Sequence, residues 1–163
     1  MHIDGGEQMR IDELDKKILA ELLKDARASS REIARRIGVS VGTVLKRVKR
    51  LNDEGVIKGY TVIIDHEKLG YDLTVVTEII VSKGKLLEME REVAKIPNVC
   101  AVYDVTGETD AVIIAKFKNR RELSKFTKGL LAMPFIERTN THVVLTTVKE
   151  SQFPIELLRA AES

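Results

Sequence analysis

The chain has 163 residues, 44% of them hydrophobic and 32% charged, with a formal net charge of only +2. That balance excludes a disordered chain, which would lack the apolar groups to offset its ordering entropy, and the length admits one ordinary domain or two small ones. The small total hides a segregation, because residues 9–58 carry 13 Lys/Arg against 8 Asp/Glu, a net of +5, while residues 59–163 carry 14 against 15; a polyanionic partner is therefore expected for the N-terminal part.

Residues 1–8 lack periodicity, and Met9 reads as a second candidate start. No basic start followed by an apolar stretch suggests a signal peptide, and no apolar run approaches the ~18 residues of a membrane span. A cytoplasmic protein with no membrane partner is expected. Cys100 is the single cysteine, so no intrachain disulfide forms. It reads as a small buried residue on a strand.

A helix is predicted over 12–24, where Leu14, Ile18 and Leu22 share a stripe and Asp12 caps the start. A second, short helix follows over 30–37, opened by the capping box of Ser29 and Glu32. Gly38 supplies a tight turn. Ser40 then caps a third helix over 41–54, which stops at Gly55. Three helices with a short second member and a three-residue turn form a helix-turn-helix, placed at 9–58. Residues 59–72 read as a linker holding an extended hinge strand at 60–64, with a turn at Gly70. From there the order is strand 73–82, helix 85–96, strand 99–106, strand 110–118, helix 120–132 and strand 136–148. This β-α-β-β-α-β order is a ferredoxin-like split unit, placed at 73–149 and followed by a C-terminal tail, 150–163. The fold class is α+β: an N-terminal three-helix (winged) helix-turn-helix domain plus a C-terminal βαββαβ domain. Such a sheet carries helices on one face. Val76, Ile80, Val102, Val112, Ile114, Val144 and Val148 make the other face apolar as well, and a second copy of the chain is its simplest cover.

Residues 39–51 hold Lys46, Arg47, Lys49 and Arg50 and no acid. On a helix, Thr43, Lys46, Arg47 and Arg50 form one polar stripe, and Val41, Val44, Leu45, Val48 and Leu51 form the core-facing stripe. A helix packed on one side and cationic on the other suits the major groove of double-stranded DNA. There Lys and Arg neutralise phosphates and donate to guanine. Ser40, Val41, Gly42 and Thr43 open this helix, where a recognition helix meets base edges. Arg31, Arg35 and Arg36, on the helix before, are candidates for flanking phosphates. The bland alternative is a basic helix neutralised by acidic residues elsewhere in the chain.

The pattern Asp12-x-x-Asp15-x-x-Ile18-x-x-x-Leu22, then Ile33-Ala34-x-x-Ile37-Gly38-x-Ser40, then Val44-x-x-Arg47-Val48-x-x-Leu51-x-x-x-Gly55-Val56-Ile57 resembles the DNA-binding half of the leucine-responsive regulators, the Lrp/AsnC or feast/famine family. The loop Gly107-Glu108-Thr109-Asp110 resembles that of their ligand-sensing domain, although an aromatic is common in the family at the position of Thr109. The likeness runs from about residue 10 to 149. It implies homodimers formed by apposed sheets, further assembly into tetramers or octamers, binding to imperfect palindromes, and an amino-acid effector held between dimers. Carried over by position, the effector site is Thr106, Gly107, Glu108, Asp110, Thr139 and Thr141. Asp110 would pair with the ligand ammonium. Backbone N–H groups near Gly107 and the threonine hydroxyls would hold its carboxylate, and Glu108 would favour a basic ligand side chain. The bland reading is that Gly107 turns a hairpin and Asp110 starts a strand.

A sequence-specific transcription regulator modulated by an amino acid is therefore expected. The alternative is a small-molecule-binding oligomer whose helical head contacts protein. An enzyme is not expected, since the chain has no phosphate loop, nucleophile elbow or His-Glu-x-x-His. His2, His66 and His142 are scattered, and neither a cofactor nor a metal is expected.

Overall fold

Capping decides where the N-terminal helices begin. In this computed structural model, which describes residues 10–159, α1 spans Glu13–Lys24, α2 Ser30–Ile37 and α3 Val41–Asp53. Asp12 accepts from the Asp15 N–H at 2.9 Å, and Asp15 returns the bond to the Asp12 N–H at 3.1 Å. Ser29 and Glu32 reciprocate in the same way at 3.2 and 2.8 Å. Ser40 Oγ accepts the Thr43 N–H at 3.1 Å. Such caps satisfy donors that the first helical turn leaves without partners, at about 0.5–2 kcal/mol each. Gly38 takes the left-handed conformation at φ 74°, which sends the chain from α2 into α3 and which a side chain would strain. Ile18, Ile33, Ala34, Val44 and Leu51 form the buried core of this unit.

The chain divides into two units. One runs to residue 63 and takes in the segment from 150 onward; the other spans 64–149. The short helix α6, Glu156–Arg159, packs with α1 inside the first unit, so the described part of the predicted tail belongs to the helical head. Residues 1–9, with the second candidate start at Met9, and residues 160–163 lie outside the described residues.

In the second unit β1 is Leu73–Val81, α4 Leu86–Val93, β2 Val99–Asp104, β3 Ala111–Phe117, α5 Arg120–Leu131 and β4 Ile136–Val143. The sheet is antiparallel in the order β2-β3-β1-β4, as the split unit requires. Burial alternates along the two central strands. Val75, Ile79 and Val81 of β1 and Ala111, Ile113, Ala115 and Phe117 of β3 form one core with Met89, Val93, Phe126 and Leu130 of α4 and α5. The opposite face carries Val76, Ile80, Val112 and Ile114, each half-buried within a single chain.

Besides shifts of one or two residues at element ends, four features differ from the sequence reading. No strand forms at 60–64; Val62 and Ile63 are 74% and 102% exposed, and within one copy the segment pairs with nothing among the described residues. The strand predicted to run to 148 ends at Val143. Its last sheet bond is Val144 N–H to Thr74 O at 2.9 Å, and Leu145 and Val148 are almost fully exposed. Helix 85–96 is shortened to Leu86–Val93, with tighter bonds leading to Pro97. Cys100 is exposed rather than buried. It falls where the β2–β3 register slips between Val99 and Ala101, and such a bulge re-aims its side chain.

Leu51→Ala is expected to cost about 2–5 kcal/mol, the usual range for emptying a buried leucine site. Hydrogen exchange should show amide protection falling in α1–α3 while β1 and β3 keep theirs. An equal loss in the sheet would mean that the two units unfold as one.

Candidate functional site

Two of the predicted cations on α3 turn inward. Arg47 donates to Asp15 at 3.1 Å and also to Asp12, and Arg50 donates to the other oxygen of Asp15. Asp15 is wholly buried. The two carboxylates that cap α1 thus also anchor α3. On α2, Arg36 meets Glu21 at 3.1 Å, a carboxylate that Lys24 also reaches at 2.6 Å. The expectation that Arg47 and Arg50 stand on an outward stripe is therefore corrected. They lie on the side of α3 that faces the start of α1, where a buried carboxylate demands counter-charge.

The stripe itself is rotated from its predicted position. Val41 and Leu45, read as core-facing, are 39% and 55% exposed. Val44, Val48 and Leu51 make the inner contact. The outward face is Ser40, Val41, Gly42, Leu45, Lys46 and Lys49, with Thr43 half-buried beside it. Thr43 and Ser40 share a hydroxyl bond of 2.8 Å, and Lys49 pairs with Asp53. Lys46 is exposed and forms no ion pair among the described residues. An atom added at Gly42 would find its nearest neighbour, Ser40 Oγ, at 3.9 Å, so packing within the chain does not require glycine there. Arg31 and Arg35 are exposed on α2.

The ion cluster sets the titration of its acids. The Asp15 backbone N–H, followed by the Arg47 guanidinium, lowers Asp12 from 3.8 to about 2. Hydrogen bonds to Asp12 and Asp15 hold Arg47 above its ordinary value. Lys24, then Arg36, lowers Glu21, and the Ser29 N–H and hydroxyl lower Glu32.

In the second unit, the loop after β2 turns at Gly107, φ 128°. Asp110 is engaged in the sheet. Its carboxylate accepts the Val81 N–H at 2.7 Å, and its own N–H donates to Ile79 O at 2.9 Å. Thr141 bonds Thr77 at 3.1 Å, and Thr139 stands opposite Ile79, so both lie on the helix-covered face. On the other face an open cleft of about 170 Å³ is lined by Glu78, Ile80, Glu108, Thr109, Arg138 and Asn140. Asn140 Nδ2 donates to Glu78 at 3.1 Å and lies 3.0 Å from His142 Nε2. The predicted effector set is thus split: Glu108 lines the cleft, Thr106 and Gly107 sit in the neighbouring loop, Asp110 ties strands together, and Thr139 and Thr141 face away. Glu78, Arg138 and Asn140 were missed. Thr139 and Thr141 rest on the resemblance by position, and the β1–β4 register sets them opposite Ile79 and Thr77, which leaves Arg138 and Asn140 on the cleft side. The signal available was charge in β1, where Glu78 interrupts a strand otherwise made of Leu, Val, Ile and Thr; β4 mixes Glu137, Arg138, Asn140 and His142 and offers no such contrast.

Residues 11–58 match the winged helix-turn-helix DNA-binding model and residues 74–153 the Lrp/AsnC ligand binding domain model. An uncharacterized HTH-type transcriptional regulator of Pyrococcus abyssi is 51% identical over 86% of this chain and 95% of its own length. The HTH-type transcriptional regulator FL11 of Pyrococcus horikoshii is 39% identical over 90% of this chain and 97% of its own. Among solved structures, a Neisseria meningitidis transcriptional regulator in complex with L-Met superposes with a TM-score of 0.85 at 27% identity, covering 91% of this chain and 99% of that one. E. coli AsnC gives 0.83 at 26% identity, over 89% and 99%.

Asp12 is lowered on folding, so its share of stability is complete above its unfolded value of 3.8 and fades as pH falls through about 2. The helical circular dichroism of the head should weaken over that window, and less so in Asp12→Asn. Asp15→Ala leaves Arg47 and Arg50 without their buried counter-charge. Because both guanidinium groups reach solvent and Arg47 keeps Asp12, a loss of about 1–3 kcal/mol is expected in thermal unfolding, the usual range for charged hydrogen bonds removed from a part-buried site.

Proposed function

We propose a mechanism from the premise that this chain belongs to the Lrp/AsnC family of transcription regulators. It is a helix-turn-helix DNA-binding regulator whose second unit is the family's ligand binding domain. In our reading α3 enters the major groove with Ser40, Val41, Gly42 and Thr43 at base edges. Lys46 neutralises a phosphate or meets a guanine, and Arg31 and Arg35 neutralise flanking phosphates. Val41 and Leu45 suit contact with thymine methyl groups. Arg47 and Arg50 hold the helix in place and do not reach out to DNA. The observation that carries this reading is the division of α3 into an inner face clamped by Asp12 and Asp15 and an outer face with exposed Gly42, Leu45 and Lys46.

The apolar open face of the sheet supports a homodimer in which a second copy covers Val76, Ile80, Val112 and Ile114; tetramers or octamers would build on it. The cleft beside it supports an amino-acid effector. Arg138 matches a carboxylate, Glu78 and Glu108 match ammonium groups, and two acids against one guanidinium favour a basic ligand side chain. The L-Met bound by the Neisseria structure supports an amino acid in this domain type. Such a ligand regulates by binding one assembly state more tightly than another. No helix among the described residues is long and apolar enough to cross a membrane. We infer a regulator without catalytic function, working in the cytoplasm.

The exposed Val41 and Leu45 would also suit a head that docks on protein, and salt separates the two. For DNA, the slope of log affinity against log salt should fall by about 0.9 for each phosphate contact removed, so Lys46→Ala should flatten it by about one contact per bound head. Gly42→Ala should fold normally yet bind DNA more weakly, because its added methyl meets the groove. Binding that ignores salt would remove the DNA reading of the head. In a thermal-shift screen of the twenty amino acids, a ligand raises the melting point because it binds the folded state. Arg138→Ala should abolish that shift; a shift of unchanged size would place the effector elsewhere.

A further inference from the structure

α5 carries charge of one sign within a unit that balances its charges. Residues 64–149 hold 13 Lys/Arg and 12 Asp/Glu, yet five of those cations and one acid lie between 118 and 128. Arg120, Arg121, Lys125 and Lys128 are exposed, and none forms an ion pair among the described residues. By contrast Lys85 and Lys95, flanking α4, close on Glu88 at 2.7 Å and Glu92 at 2.6 Å. The single acid of α5 is already engaged, since Glu122 accepts the Lys118 backbone N–H at 3.0 Å. The Lys118 ammonium stands over the Tyr71 ring, 5.1 Å from its centroid.

Arg121, Lys125 and Lys128 are spaced i, i+4 and i+7, which puts them on one line along the helix. Leu123, Phe126 and Leu130 point the other way into the core. Arg120 and Arg121 occupy the first turn, where the helix dipole disfavours cations. Local stability therefore does not explain their presence, and a residue that breaks a local rule is where function is sought.

Three partners of negative charge come into question, and the surface discriminates among them. A protein interface needs an apolar centre, but Ser124 and Gly129 lie among these cations and the exposed large apolar residue of α5 is Leu131, at the far end; the nearest apolar surface is an open cleft of about 410 Å³ that Lys125 and Gly129 edge and Ile96, Pro97 and Met133 help to line, to one side of the cation row. A helix lying in a membrane surface needs a free apolar face, and that of α5 is buried. A linear polyanion needs a row of unpaired cations and little else. We propose that the outer face of α5 binds the phosphate backbone of duplex DNA without sequence preference, as a second contact beside the helix-turn-helix head. This rests on the reading of the chain as a DNA-binding regulator.

The test uses the full chain with Arg121, Lys125 and Lys128 all replaced by Ala, compared with wild type and with Lys125→Arg/Lys128→Arg. Binding to a duplex of unrelated sequence and to an operator fragment is followed by fluorescence anisotropy across a salt series. The triple variant should lose about 2–3 from the salt slope per protomer, at about 0.9 per phosphate, and should bind every sequence more weakly by a similar factor. The arginine pair should keep the wild-type slope. Melting point and sedimentation should match wild type. An unchanged slope overturns the proposal, and that is the result a stripe built for an acidic protein would give. A slope that changes only together with the oligomeric state also overturns it, because α5 is then a contact between copies. Lys46→Ala, run in parallel, separates this proposal from its premise. If Lys46→Ala binds as wild type while the triple variant loses its slope, the head reading fails and the α5 surface stands.

Discussion

The buried carboxylate of Asp15 is the point on which the helical head depends. It caps α1, receives Arg47 and Arg50 from α3, and is itself wholly buried. An unpaired charge in that position would cost several kcal/mol. Five buried apolar residues, Ile18, Ile33, Ala34, Val44 and Leu51, complete the unit. A core of that size tolerates rotation of a helix about its own axis, because hydrophobic contact has no direction. Two guanidinium groups converging on one carboxylate do have direction. They fix which residues of α3 face inward, and so which face outward.

The sheet unit solves a different problem. Its helix-covered face is a conventional core, closed by Phe117 against Phe126 with ring centroids 5.0 Å apart. Its other face mixes Val76, Ile80, Val112 and Ile114 with Glu78, Asn140 and His142. An apolar sheet face of this kind is unfavourable in water, while Glu78, Arg138 and Asn140 line an open cleft on the same side. The two features share one surface, so a ligand in the cleft would lie beside the residues that a second copy would cover. Coupling between ligand and assembly would follow from that adjacency and needs no long pathway.

Much of this was legible in the sequence, for local reasons. The capping boxes at Asp12 and Ser29, the turn at Gly38 and the β-α-β-β-α-β order all depend on short spacings, and they appear in the structure within a few residues. The differences share a cause as well. Helical spacing and charge put Arg47 and Arg50 on one polar stripe with Lys46, but whether an arginine faces water or a buried acid depends on a partner more than thirty residues away. Thr139 and Thr141 rest on the resemblance by position, whereas the face they occupy is set by the pairing of β4 with β1, sixty or more residues earlier in the chain. Cys100 followed its neighbours in the expectation and a bulge in the structure. The strand expected at 60–64 finds nothing to pair with among the described residues of one chain.

Arginine and lysine divide the work on this surface according to their chemistry. Arg36, Arg47 and Arg50 point into ion pairs, where a planar fork of donors matches a carboxylate. Lys46 of α3 points outward, where a compact, hydrated ammonium on a flexible stem keeps its charge available, while the neighbouring outward Lys49 closes on Asp53 of its own helix. Successive residues on a helix are about 100° apart. Rotating α3 by one position would therefore present Leu45 or Arg47 where Lys46 now stands. The inner arginines thus determine what the outer lysine can touch without touching it themselves. In the proposed reading Lys46 meets DNA without holding the head together, Arg47 and Arg50 hold it together without meeting DNA, and Ser40 does both, since it also caps α3.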